Sequence, residues 1–238
     1  VLFKLDSTQP QANYDIYRNQ LVNALAQEAR LIAEQTESSQ IKFPEELNKL
    51  GDSVAVQDVM LDQQKQFERR AGSLAAQIAL LKSKMVQLRT EIGGLVEEQE
   101  GRTRQVAFLV DEITGLKELF DRGHAPKTRL LALEREKAAL EGQIGRSKAD
   151  QAKAENGINE ADLQIRQLRQ QFFEQAIKDL VDVRSKISDL REKVTVSRDV
   201  LRRLDVFAPT TGTVQNMKVF TVGAVIRSGE PLIDVVPD

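Results

Sequence analysis

The feature that most constrains this chain is an apolar period that holds its phase from residue 60 to residue 120. Steps of four and three alternate through Met60, Gln64, Phe67, Ala71, Leu74, Ile78, Leu81, Met85, Leu88, Ile92, Leu95, Gln99, Arg102, Val106, Leu109, Ile113, Leu116 and Phe120. Only Gln64, Gln99 and Arg102 interrupt it with polar groups. A repeat of about 3.5 residues puts one continuous stripe on one helix face, the pattern of a left-handed coiled coil. Randomly scattered apolar residues lose phase within two or three heptads.

The pattern stops at Asp121-Arg122-Gly123-His124-Ala125-Pro126. Gly123 admits a positive φ and Pro126 suits the first turn of a new helix. A second seam then runs Leu140, Ile144, Ser147, Gln151, Ala154, Ile158, Ala161, Ile165, Leu168, Phe172, Ala176, Leu180, Val183, Ile187, Leu190, Val194, Ser197, Leu201 and Leu204. Three consecutive steps of four between Leu168 and Leu180 form a stutter, which locally unwinds a supercoil. So short a turn makes the arms antiparallel neighbours. Placing Phe120 opposite Leu130 sets Gln99 and Arg102 against Ser147 and Gln151, so the polar breaks of the two arms meet at one level. Each arm extends at least ~105 Å at about 1.5 Å per residue. An arm of that length is a spacer or a lever.

The flanks have a different character. Residues 1–6 read as a short strand, and Ser7 or Thr8 can cap a helix with Pro10 in its first turn. Tyr14, Tyr17, Leu21, Leu25, Ala29 and Ile32 form one face of that helix. Ser38 to Ser53, with Pro44 and Gly51, loses the periodicity and reads as a linker with one short turn. The expected helices span about 9–37, 53–121 and 126–204. Beyond Leu204, the stretches 204–214, 219–225 and 229–236 are rich in β-formers and separated by glycine turns. So short a segment cannot bury a core alone. If it pairs with the opening strand, both feet of the hairpin return to one place. The helix of about 9–37 is then surplus, and the linker must bring the chain back. This predicts three helices at the base and two in the distal arm.

Composition narrows the function classes. The 238 residues include no cysteine, no tryptophan and a single histidine, His124. Disulfides, thiol catalysis and Cys or poly-His metal sites are excluded, and any Ser-His-Asp triad would depend on that one histidine. Net charge is −2 with basic and acidic residues well mixed, so no nucleic-acid surface is expected. No apolar run approaches the ~20 residues that cross a bilayer. Val1 is not a natural start, which leaves a membrane anchor upstream of this stretch open. Glu97, Glu98 and Glu100 read as a solvated helix face rather than a metal cluster. No cofactor, metal or catalytic residue is expected.

The carboxyl-terminal segment carries a resemblance. Ala208-Pro209 followed by Gly212, Val214, Gly223, Val225, Gly229, Pro231, Leu232 and Pro237 resembles the second lipoyl half-motif of the HlyD-type membrane fusion proteins. The opening Leu2-Phe3-Lys4-Leu5-Asp6 is similar to the end of the first half-motif. In that family a helical hairpin is inserted between the halves, which is the order seen here. The resemblance implies a mainly α fold: a long antiparallel coiled-coil hairpin with an extra N-terminal helix. A small all-β lipoyl-like (barrel-sandwich) domain would form from the two chain ends. The domains would be 1–7, 8–204 and 205–238.

The three-helix layout resembles adaptors of type I secretion, including those for alkaline protease export. The resemblance implies no enzyme but a periplasmic adaptor, anchored to the inner membrane of a Gram-negative bacterium. It would bridge an inner-membrane ABC transporter and a TolC-type outer-membrane channel, and would assemble with copies of itself. The expected partner-binding residues lie at the hairpin tip: Leu116, Leu119, Asp121, Arg122, Gly123, His124, Pro126, Lys127, Thr128 and Arg129. Efflux adaptors carry an Arg-Leu-Ser pattern at the tip, and the serine after the turn is absent here. Multidrug efflux and a structural coiled-coil rod are the alternatives. A rod explains residues 55–204 but not the strand-like ends. A lipoyl or biotin carrier explains the ends but not the hairpin, and the position of its modified lysine is taken by the coiled coil.

Overall fold

The computed structural model describes residues 1–49, 54–227 and 229–237. In chain order the elements are β1 (Phe3–Lys4), α1 (Thr8–Gln35), α2 (Glu45–Lys49), α3 (Val54–Asp121), α4 (Lys127–Arg203), β2 (Asp205–Val206), β3 (Gly212–Gln215) and β4 (Asp234–Pro237). The expected mainly α fold with a long hairpin and small antiparallel strands is present. Part of the expected linker, including Gly51 and Ser53, lies outside the described residues. The chain divides into two compact units, Val1–Gln64 with Ile177–Asp238, and Lys65–Ala176.

The second unit contains only α3 and α4. From Lys65 to Asp121, α3 runs roughly 85 Å at about 1.5 Å per residue. Phe67 is buried and every later seam position of α3 is half-buried, while the positions between are exposed apart from Arg70, Val96 and Gly101. On α4 the seam begins earlier than the sequence suggested: Leu133 is buried and Lys137 half-buried. A two-helix pair has no third neighbour, so most of its seam stays half-shielded.

Cross-arm contacts fix the antiparallel register. Arg102 Nη1 donates to Ser147 Oγ at 3.1 Å. Its Nη2 meets Glu98 Oε1 at 2.5 Å, and Ser147 Oγ donates to Glu98 Oε2 at 3.4 Å. The polar breaks therefore meet, at Arg102 and Ser147. Gln151 departs from the expectation, turning along its own helix to Glu155. The Gln99 amide nitrogen is shielded without a partner. A polar group inside an apolar seam specifies register because any slip leaves it unpaired.

The first unit contains the core. Leu21, Val22, Leu25 and Leu31 of α1 cluster with Leu47 of α2, Val56 of α3, and Leu180, Val183, Ile187, Leu190 and Val194 of α4. Tyr14, Tyr17 and Phe43 pack against this cluster. Because α1 buries residues on a wide arc, Leu31 is fully buried and Ile32 is 38% exposed, the reverse of the expected stripe. Arg30 and Glu34 are buried as a pair at 2.5 Å, and Arg30 Nε donates to Gln63 Oε1 at 2.8 Å. At the rim, Arg184 pairs with Glu28 and Arg191 with Glu46.

The helix ends follow local rules, with two departures. Ser7 occupies the N-cap position of α1 without a side-chain cap. Instead Asp6 accepts from the Thr8 amide at 2.9 Å and the Thr8 hydroxyl at 2.7 Å. These bonds, the amide first, hold the Asp6 carboxyl below its ordinary value of 3.8. At the other end Glu37 takes a positive φ of 49°, with Ser38 N–H bonded to the Ala33 carbonyl. This is the closing pattern usually given to glycine.

The chain ends meet as predicted: β1 and β2 pair antiparallel, Phe3 with Val206 and Lys4 with Asp205. β3 and β4 form a separate antiparallel ribbon, Gly212 with Pro237 through Gln215 with Asp234. A Cβ at position 212 would collide with the Val236 carbonyl, so the close approach requires glycine. The expected strand at 219–225 does not form; Ala224 N–H closes a turn onto the Thr221 carbonyl instead.

Candidate functional site: the hairpin tip

Beyond Phe120 no further apolar position is available to extend the seam, and α3 closes. Gly123 takes φ 79°. Its N–H bonds to the Phe120 carbonyl at 2.9 Å, and the His124 N–H to the Leu119 carbonyl at 2.8 Å. Together these form a Schellman motif, which satisfies the last carbonyls of α3 and turns the chain back sharply. The Arg129 N–H then bonds to the Pro126 carbonyl as α4 begins. The end of α3 is therefore closed by its own backbone, without a contribution from the tip side chains.

The candidate residues divide by position. Leu116 is half-buried, in phase with Ile113 and Phe120, and supports the seam. Leu119 is 46% exposed. Asp121, Arg122, Gly123, His124, Pro126, Lys127, Thr128 and Arg129 are all exposed. Arg129 reaches back to Glu112 at 3.5 Å, with both side chains more than half exposed. Such a pair contributes under about 1 kcal/mol. The tip is thus a rigid turn displaying a leucine, a histidine and cations.

Sequence reasoning missed two residues near it. Phe108 is 71% exposed on α3, and Leu131 is 43% exposed on the first turns of α4. Phe108 stands between Val106 and Leu109, out of phase with the seam, and an aromatic in that phase is the signal that would have found it. Among the described residues, no group of three or more His, Cys, Asp or Glu side chains could hold a metal ion. Among the same residues, no helix is long and apolar enough to cross a membrane.

The family model for the AprE long alpha-helical hairpin matches residues 10–200. The chain belongs to the AprE long-hairpin family. Its similarity to other members runs through the strand-forming ends as well. It is 34% identical over its whole length to a type I secretion system membrane fusion protein, PrsE, of Rhizobium meliloti, covering 54% of that protein. It is 27% identical to the alkaline protease secretion protein AprE of Pseudomonas aeruginosa, covering 55% of it. The chain thus spans about half the length of these curated relatives. Neither is described as an enzyme.

Among solved structures, the soluble domain of LipC, a membrane fusion protein of a type I secretion system, superposes with a TM-score of 0.90 at 26% identity. The match covers 99% of this chain and 88% of that one. The periplasmic adaptor EmrA shares the fold at a TM-score of 0.52 and 18% identity, over 98% of this chain and 62% of that one.

Proposed function

We propose that this AprE-family chain is the hairpin-bearing part of a periplasmic adaptor of a type I secretion system. In the full-length protein, anchored to the inner membrane of a Gram-negative bacterium, it would bridge an inner-membrane ABC transporter and a TolC-type outer-membrane channel during protein export. The observation that carries this reading is the likeness to the LipC soluble domain over nearly the whole chain. The role is mechanical: the hairpin offers its tip to a partner, and copies stand side by side. The domains are read as 1–7, 8–204 and 205–238, the outer two being halves of a lipoyl-like barrel-sandwich. Phe220, Val222 and Val225 are each more than three-quarters exposed, which supports a further apolar layer covering them. Multidrug efflux is the weaker reading, since the EmrA likeness extends to fold alone.

The tip residues Leu119, Arg122, His124, Lys127 and Thr128 are read as the channel contact, with Leu116, Gly123 and Pro126 shaping the turn. Asp121 and Arg129 flank it. A photo-crosslinking amino acid at position 119 or 124 of the full-length protein tests this in envelopes of the native host. An adduct with a TolC-type channel from the tip, but not from position 84 midway down α3, is expected. Equal adducts from both positions, or none from the tip during active export, would refute tip docking.

A further inference from the structure

Six glycines sit inside the helices of the second unit within a narrow window: Gly93, Gly94 and Gly101 on α3, and Gly142, Gly145 and Gly157 on α4. Gly157 has a packing reason, since a Cβ there would lie 3.1 Å from Leu88 Cδ1 on the opposite arm. The other five have none. A Cβ at Gly93, Gly94, Gly142 or Gly145 would meet nothing within 4 Å, and at Gly101 only the far end of the Arg104 side chain at 4.0 Å. Alanine would fit at each. Glycine in its place weakens the helix roughly fivefold per position.

The Arg102–Ser147 hydrogen bond brings Gly101 and Gly145 within about one turn of each other, with Gly142 on the tip side of that level and Gly93 and Gly94 on the other. The seam is weakest at that same level. Gln99 holds a shielded, unpaired amide nitrogen where an apolar side chain would pack. Gln151 turns along its own helix, and the buried Ser147 is polar. Backbone softness on both arms therefore coincides with a gap in the apolar seam. The Arg102–Glu98–Ser147 layer is partly exposed and ties the two arms together by polar contacts.

We propose that residues 93–107 of α3 and the facing residues 142–156 of α4 form a built-in flexure, at which the hairpin bends while its arms stay in register. Above and below the flexure the seam carries unbroken apolar layers, Leu109, Ile113 and Leu116 on one side and Leu74, Ile78 and Leu81 on the other, where the open glycines Gly115 and Gly72 stand singly rather than clustered. The device would let a tip seated on one partner follow movement at the hairpin's feet without the arms sliding. It concerns the hairpin's own mechanics and stands whichever partner the tip contacts.

Hydrogen exchange on the 238-residue chain reads this directly. Amides of 95–104 and 144–152 are expected to exchange at least tenfold faster than those of 74–85 and 161–172. Replacing Gly93, Gly94, Gly101, Gly142 and Gly145 together by alanine should slow the α3 window by on the order of a hundredfold, three glycines at roughly fivefold each. Uniform protection along the hairpin, or a fast window the alanines leave unchanged, overturns the proposal. A second readout uses the absence of cysteine. Spin labels on Ser83→Cys and Thr114→Cys should give a broad distance distribution that narrows in the five-alanine variant. A narrow distribution in the parent chain sinks the flexure.

Discussion

Removing Arg30 from the base of the hairpin exposes how the core is balanced. The guanidinium is 3% exposed as a side chain and its partner Glu34 fully buried, 2.5 Å apart, with Gln63 Oε1 accepting from Arg30 Nε at 2.8 Å. Arg30→Met keeps the stem and removes the charge, so the buried Glu34 carboxylate loses the guanidinium beside it. Breaking a buried pair from one side costs about 3–5 kcal/mol, whereas replacing both partners by apolar groups is often neutral or better. Arg30→Met should therefore lose about 3–5 kcal/mol, and Arg30→Met/Glu34→Leu should return to within about 2 kcal/mol of the parent. The assay follows from the sequence. There is no tryptophan, and both tyrosines, Tyr14 and Tyr17, lie on α1 against this core. Tyrosine fluorescence in a urea titration thus reports the three-helix unit alone, while circular dichroism reports all the helices. A loss under about 1 kcal/mol for the single variant, or a double variant no more stable than the single, would refute the reasoning.

Other expectations are smaller or more local. Leu47→Ala should cost about 2–5 kcal/mol in the same fluorescence assay, because Leu47 is fully buried and brings α2 into the core cluster. Glu37→Gly should raise stability by about 0.5–1 kcal/mol, relieving a left-handed residue at the end of α1, while Gly123→Ala should lower it by about 1 kcal/mol at the tip; thermal melts distinguish the two signs. The Asp6 carboxyl is held below 3.8 by its bonds from Thr8. Its contribution is therefore fully present above that value and is lost as pH falls through the depressed one. The Thr8 amide shift in an NMR titration should follow that midpoint, and Asp6→Asn should abolish the titration.

Much of the fold was legible because a coiled coil is written in a one-dimensional code. Every α3 position from Phe67 to Phe120 that the phase assigned to the seam is shielded. The turn at Gly123 was legible because the chain reversal needs a left-handed residue. The polar breaks were half legible. Arg102 and Ser147 meet, yet Gln99 stays unpaired and Gln151 turns away, since a side chain's partner depends on rotamers that spacing does not encode. The stripe on α1 was misjudged at Ile32 because a helix with neighbours on more than one side buries an arc wider than a single stripe. At the tip, the sequence located the turn and its cations and already placed Leu116 in the seam, whereas Phe108 and Leu131, which face solvent, were passed over.

The sequence by itself determined the two long helices, their antiparallel pairing and the junction of the chain's two ends, because heptad phase and turn chemistry are local and repeat many times. Tertiary structure decided what depends on a single crossing of distant segments. Such decisions include the burial of Arg30 and Glu34, the docking of Leu47, the reach of Asp6 rather than Ser7 to the first turn of α1, and the absence of a strand at 219–225. Each of these turns on which neighbour happens to be adjacent in space, and no period along the chain records that.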